Sequence, residues 1–432
     1  MIEVIAINEK AKLNAKLERI RQRNVALDAE LITQVSAIVD DVRLRGDAAL
    51  IDYAAKFDGE RLQQSDLRVS CDRLCEIAKR ADVNVVDALR IAIANVRAFH
   101  EHELPQSWEI NGPNGIRLGQ RVTPIERVGL YVPGGGASYP SSVVMNVVPA
   151  QVAGVDRIVV VTPPGSIQKN PAVAAALVEL NVNEVYAAGG AQAIAALAYG
   201  TGTIPSVDKI TGPGNKFVAA AKRHVFGLVG IDSIAGPSEV VVLADQSARP
   251  DFVAADLLAQ AEHSEDASAI LITTSKTLAC EVVSEVRIQA SQLPRSKTIE
   301  QSLADYGAII VADDIDEACS LVNKLAPEHL ELMTRDDDQI VSRIRNAGAL
   351  FFGQNTPEAV GDYLAGPNHV LPTAGAARFS SALSVHDFLK RTNLLKYQLA
   401  ELKRTAALIA TLAAAEGLEG HARSAMIRLE DH

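Results

Sequence analysis

Aromatic side chains are scarce in this chain of 432 residues: Phe, Trp and Tyr together make up 4%. The cores must therefore be built from Ala, Val, Leu and Ile. Cysteine is rarer still. Cys71, Cys75, Cys280 and Cys319 form no Cys-x-x-Cys pair, and all four are expected to be reduced and structural, without disulfides. Cys71 and Cys75 stand at helical i,i+4 spacing, which suits a packed face, while Cys280 and Cys319 lie among apolar residues. No long basic run tracks a phosphate backbone, and the net charge of −11 argues against a nucleic-acid binder. The densest basic stretch, Lys16, Arg19, Arg21 and Arg23, lies beside Glu18 and Asp28 and reads as one solvated helix. No apolar run is long enough to span a bilayer, since the best candidate, 143–163, is cut by Asp156 and Arg157. The first residues are acidic where a signal peptide needs a basic region. A cytoplasmic enzyme is the expectation.

What is present is the composition of a soluble globular protein, 48% hydrophobic and 22% charged, in a chain long enough for two or three domains. Residues 30–56 and 73–99 carry apolar positions at three- and four-residue spacing and predict helices. From about residue 120 strands and helices alternate. Strands are expected at 127–132, 157–162, 184–188 and 209–211, with helices at 171–180, 191–199 and 219–225. A second block of the same kind has strands at 240–244, 269–274, 308–312 and 331–333, with helices at 250–262, 278–289 and 315–324. This βαβ rhythm predicts two tandem Rossmann-like open parallel sheets, preceded by helices and followed by a helical tail from 384. The expected division is an N-terminal helical arm (1–25), a first α/β domain (26–125 plus 236–383), a second α/β domain (126–235) and a C-terminal tail (384–432). The tail is long and apolar on one face, as an element packing on a partner subunit would be.

Three groups of residues carry chemistry. Ala326-Pro-Glu-His-Leu sets a carboxylate and an imidazole side by side, and two proton carriers of different basicity can handle two proton transfers in one site. Pro327 disfavours helix at Ala326, so Glu328 and His329 are expected at a turn; a solvated surface turn is the plain alternative. Gly134-Gly135-Gly136, Gly189-Gly190 and Gly212-Pro-Gly-Asn each follow an expected strand, where glycine lets backbone N–H groups approach a phosphate. Neither Gly-x-Gly-x-x-Gly nor a Walker sequence is present, and ordinary turns explain each glycine singly. Gln260 and His263 share a helix face, Asp362 lies in a loop segment with His369, and His421 follows the C-terminal helix. Spacing alone does not join them into a metal site.

Tyr131-Val-Pro-Gly-Gly, Gly189-Gly-Ala-Gln-Ala-Ile-Ala-Ala-Leu-Ala, Thr211-Gly-Pro-Gly-Asn, Ala235-Gly-Pro-Ser-Glu, Gln260-Ala-Glu-His, Ala326-Pro-Glu-His-Leu, Gly361-Asp-Tyr with Gly366-Pro-Asn-His-Val-Leu-Pro-Thr, and Glu416-Gly-Leu-Glu-Gly-His follow one another along the chain. Together they resemble the histidinol dehydrogenase family. The resemblance implies oxidation of L-histidinol to L-histidine by two NAD⁺ through a bound aldehyde, the last step of histidine biosynthesis. It implies a homodimer with one Zn²⁺ per subunit. Gln260, His263, Asp362 and His421 match its zinc ligands, with His421 serving the partner's site. Tyr131, Gln192 and Asn215 match NAD-contacting positions, and Glu328 and His329 the catalytic pair. Ser238, His329, His369 and Glu416 match substrate-contacting positions, and the ligands Gln260, His263, Asp362 and His421 also face the substrate. On this reading His329 is the base of both oxidations and Glu328 activates water against the aldehyde. A metal-dependent hydrolase and a non-catalytic nucleotide-binding protein are the competing readings. The first leaves the glycine turns without a purpose, and the second the acid, base and ligand positions.

Overall fold

The computed structural model describes residues 2–23, 29–134, 139–234 and 236–430. Among these residues the strands form three sheets. One is ordered Arg68–Val69, Glu184–Ala187, Arg157–Thr162, Arg127–Tyr131, Lys209–Thr211, Gly230–Ile231. It is parallel apart from the Arg68–Val69 edge. Its central strand shows why the sequence reads as an unbroken apolar run: Val160 enters one core while Val159 and Val161 enter another on the opposite face. The alanines of helix Gly190–Tyr199 let it lie close on the sheet, where a Cβ on Gly129 would come 2.8 Å from Leu197.

The second sheet is wholly parallel, in the order Glu3–Ala6, Ala308–Val311, Ser268–Thr273, Glu239–Ala244, His329–Met333, Ala349–Phe352. Two open parallel-rich sheets are thus present as expected. The N-terminal arm, however, begins with a strand. Glu3–Ala6 pairs with Ala308–Val311 before helix Lys10–Gln22 starts, and Ile5 is fully buried. Four residues are too few to show a period.

The early helices also differ from the expected division. Ala29–Arg45 and Asp47–Tyr53 bring Val35, Val39 and Leu50 into the core of Val159 and Val161. Cys71–Ala78 and Val83–Glu101 bring Leu74, Ile77, Leu89 and Val96 against Val128 and Val160. They cover the sheet of 127–231, not that of 239–352, because an apolar stripe says that a helix is covered and not by what.

The tail is not helical from 384. After a 3-10 turn at Val385–Phe388, strand Leu389–Lys396 pairs antiparallel with Arg117–Pro124, which pairs with Trp108–Asn111. This ribbon is largely solvated, so its strands carry no core-facing alternation to read. Helices Leu399–Ala415 and Glu419–Met426 follow. Cys71, Cys75 and Cys280 are exposed and only Cys319 is buried, all four being free thiols. In Cys71–Ala78 the packed face belongs to Leu74 and Ile77 instead. No described helix is long and apolar enough to cross a membrane.

Candidate active site

Helix Ile315–Leu325 ends in Ala326, held in the left-handed region at φ 50° immediately before Pro327. The chain then turns into strand His329–Met333, so Glu328 and His329 stand at its amino end. The pair is not a solvated turn: Glu328 is 7% and His329 4% exposed. The neighbouring strand supplies both first partners. The Glu239 N–H donates to Glu328 Oε2 (2.9 Å), and the Glu239 carbonyl lies 3.1 Å from His329 Nδ1. A carbonyl only accepts, so Nδ1 carries the proton and Nε2 holds the free lone pair. Burial lowers the His329 pKa to about 4 despite the opposing Asp362 charge. Burial also raises Glu328 well above the usual carboxylate range, and the charges of Glu239 and Asp362 add to it against the Glu239 N–H bond.

Gln260, in the last turn of helix Pro250–Ala261, is fully buried. Its amide is satisfied with the nitrogen donating to Glu358 Oε1 (2.8 Å) and the oxygen accepting from the Glu239 N–H (2.6 Å). His263 lies just past that helix end, exposed, with Nδ1 3.0 Å from the Ala259 carbonyl. It is near enough for its charge to act on both His329 and His369. Asp362 is on a short helix, Glu358–Tyr363, rather than in a loop. Its Oδ1 is 3.9 Å from His329 Nε2 and 3.7 Å from His369 Nδ1. Ser238 directly precedes Glu239 at the same end of the sheet.

Three buried carboxyls here were not singled out from the sequence. Glu358 Oε1 lies 3.7 Å from His329 Nδ1. Glu331 accepts from the Glu358 N–H at 2.9 Å, tying down the helix that carries Asp362. Asp256 stands against Glu331, which burial and the Asp256 charge push up. Glu331, two residues beyond His329 in the strand, shares its face, a spacing that by itself does not reveal burial. Glu358, four residues before Asp362, becomes readable only once that segment is known to be helical.

The donor atoms of His329, Glu358 and Asp362 all lie within 4.8 Å of one another. Among the described residues, His329 Nε2 and Glu358 Oε2 are buried without a hydrogen-bond partner. Burial first, then the neighbouring carboxylates, raise the Glu358 pKa well above its usual range. Such an environment is rich in lone pairs and short of positive charge, which suits an N/O-ligated divalent cation. Gln260 touches this group through Glu358 Oε1, and the His263 charge reaches His329. Glu416 and His421 do not join it within the chain: both are exposed at the C-terminal helices.

The residues matched to NAD form a separate group at the carboxyl ends of the other sheet. From Arg127–Tyr131 the chain winds through Arg157–Thr162 to Glu184–Ala187, then crosses to Lys209–Thr211 on the opposite side. That reversal makes the ends of Arg127–Tyr131 and Lys209–Thr211 a topological switch point, the place where open parallel sheets take ligands. The Tyr131 hydroxyl accepts from the Gly190 N–H at 3.2 Å, and burial pushes it up to about 12. Gly190 (φ 62°) opens the helix whose first turn carries the buried Gln192. Asn215 caps helix Lys216–Val225, its Oδ1 accepting from Phe217 N (3.0 Å) and Val218 N (3.2 Å). The cap uses the Asn215 oxygen and leaves its side-chain NH₂ donors unused by it. Of the first glycine turn, Gly135 and Gly136 lie outside the described residues.

The sequence profile described as histidinol dehydrogenase matches residues 21–429. The chain belongs to the histidinol dehydrogenase family. It is 52% identical to the histidinol dehydrogenase of a Synechococcus strain over 425 residues, 98% of each chain. It is 53% identical to that of Geobacillus kaustophilus over 424 residues, 96% of this chain and 99% of that one. The crystal structure of the Elizabethkingia anophelis histidinol dehydrogenase superposes with a TM-score of 0.92 at 36% identity, covering 99% of this chain and 98% of that one. Histidinol dehydrogenases are oxidoreductases, so membership excludes the hydrolase and the purely binding reading at the level of the family. It also agrees with the clustering of Gln260, Glu328, His329, Asp362 and His369, which come together from four segments of the chain.

Proposed function

We propose that this protein oxidises L-histidinol to L-histidine with two NAD⁺, through a bound aldehyde, in a zinc-containing homodimer whose sites are shared between subunits. The observation that carries the reading is the buried Glu328–His329 pair with its opposite shifts, a neutral imidazole beside a carboxyl of raised basicity. Gln260, His263 and Asp362 would hold the Zn²⁺, with His421 of the other subunit as the remaining ligand. When bound, the zinc supplies a Lewis acid that orients the amino alcohol. Ser238, His369 and Glu416 complete the pocket for the substrate's polar groups.

His329 Nε2, free of any hydrogen bond among the described residues, takes the hydroxyl proton as hydride departs to NAD⁺. Its Nδ1–H, held on the Glu239 carbonyl, keeps the ring in place and in the right tautomer. Glu328 then takes a proton from the water that adds to the aldehyde. Its raised proton affinity makes it a better base than an exposed carboxylate. His329 acts again as the hydrate gives up its second hydride. Tyr131, Gln192 and Asn215 hold the dinucleotide at the switch point of the other sheet. Exposed Leu408 (62%) and Leu412 (69%) on the C-terminal helix form an apolar face that suits a second subunit carrying Glu416 and His421 with it. The enzyme is proposed to be cytoplasmic, and no described helix is long and apolar enough to cross a membrane.

The deciding experiment measures NADH formed per L-histidinol consumed, before and after chelation. Two NADH per substrate, lost on chelation and restored by zinc, is the expected result. One NADH would end the reading at the aldehyde and remove the role of Glu328, and none would reject the activity.

A further inference from the structure

The turn Gly212–Asn215 is held from behind by a buried ion pair. Lys222, in helix Lys216–Val225, pairs with Asp232, and their side chains are 3% and 5% exposed. Each also bonds the turn itself. Lys222 Nζ donates to the Gly212 carbonyl at 3.1 Å, and Asp232 Oδ2 accepts from the Gly212 N–H at 2.8 Å. One salt bridge thus grips both polar groups of a single residue. That residue is the tightest point of the turn: Gly212 has φ 113°, and a Cβ there would come 2.2 Å from the Tyr131 carbonyl. The preceding Thr211 is pinned as well, its hydroxyl donating to the fully buried Asn146 Oδ1 at 2.9 Å.

A buried ion pair is a poor source of stability in itself, and apolar replacement of both partners is often neutral. A pair that bonds both sides of Gly212 has a geometric use. We propose that Lys222 and Asp232 are positioning residues for the dinucleotide: they set the path of Gly212-Pro-Gly-Asn and so aim Asn215 and the following helix N-terminus at the cofactor. The inference rests on the reading of Tyr131, Gln192 and Asn215 as the NAD site.

The test is Lys222→Met combined with Asp232→Asn in the full-length, zinc-loaded enzyme. The double variant removes the buried charge and the donor to Gly212 yet keeps an acceptor for its N–H. Asp232→Glu is the second variant. It keeps both charges and shifts the carboxylate by one methylene. The expected result for both is a KM for NAD⁺ raised about tenfold or more, with KM for L-histidinol within about twofold and little change in kcat. Thermal melts report whether either is merely misfolded. Lowered melting with an unchanged KM for NAD⁺ in either folded variant would overturn the proposal. Asn215→Ala and Gln192→Ala are run alongside. If they raise KM for NAD⁺ and the ion-pair variants do not, the positioning role falls while the NAD site stands. If none of the four raises it, the NAD site as read falls too.

Discussion

Replacing Glu328 by Gln tests the division of labour between the two proton carriers. The substitution is nearly isosteric. A glutamine oxygen can still accept from the Glu239 N–H that now reaches Glu328 Oε2 at 2.9 Å, so the local bonding is kept. Glu328 is buried and of raised proton affinity, so the neutral amide costs little in folding. Loss of a general base typically costs about 10²–10⁴-fold, or roughly 3–5 kcal/mol of barrier. On the proposed mechanism the first proton goes to His329, so that loss should fall on hydration of the aldehyde. The assay is single-turnover NADH formation in stopped flow. The wild-type enzyme should give two NADH per site. Glu328→Gln should give the first at a rate within about tenfold of wild type and the second slowed by the full factor. Equal slowing of both phases would refute the reasoning and make Glu328 a partner of the first step or a positioning residue.

Further outcomes follow from the same structure. His421→Asn should abolish activity in the pure mutant dimer, and heterodimers exchanged with His329→Asn should recover part of it. No recovery would count against a shared site. Gly212→Ala should lower the melting temperature and weaken NAD⁺ binding, since strain of about 1–3 kcal/mol adds to the overlap with the Tyr131 carbonyl; an unchanged melt and affinity would show that the turn relaxes. Burial raises the Asp256 pKa to about 6. The native state therefore keeps a proton that the unfolded chain has lost from about pH 4 to 6, and stability falls as pH rises through that window. Asp256→Asn should gain melting temperature relative to wild type at about pH 8 and much less at about pH 4.5. Equal differences at both would show that the carboxyl is not held protonated.

Much of the fold was legible because the sheets are covered on both faces. Arg157–Thr162, Glu239–Ala244, Ser268–Thr273 and Ala308–Val311 are near-continuous apolar runs for that reason, and their boundaries lie within a residue or two of those expected. The misses share the opposite cause. Glu3–Ala6 is too short to carry a period, and Leu389–Lys396 buries neither face, so polar and apolar residues follow no order there. In the site, Glu328 and His329 stood out as neighbours in sequence. Asp256, Glu331 and Glu358 did not, because a lone carboxyl in a helix or strand looks like a surface charge until its burial is known. Glu328 and His329 lie at the amino end of their strand and the glycine turns at the carboxyl ends of theirs. The crevice rule for parallel sheets therefore draws the eye to the glycine turns and is silent about Glu328 and His329.

The antiparallel ribbon acts as a jig. Its turn at Pro113–Gly115 is fastened to the C-terminal helix by Asn114, whose amide donates to the buried Glu401 at 2.8 Å. Leu389–Lys396 is zipped to Arg117–Pro124 along its whole length, and that register decides where everything after it begins. A slip of one residue would displace Leu399–Ala415 by about 3.4 Å and turn the ribbon over. Metal–ligand distances tolerate only about 0.2 Å. On the proposed reading, in which His421 is delivered to a neighbouring subunit, the tolerance of that coordination is set by strand pairing on a solvated ribbon. An insertion or deletion near residue 118 or 394 would then act as a ligand mutation in another molecule, although it touches neither metal nor substrate.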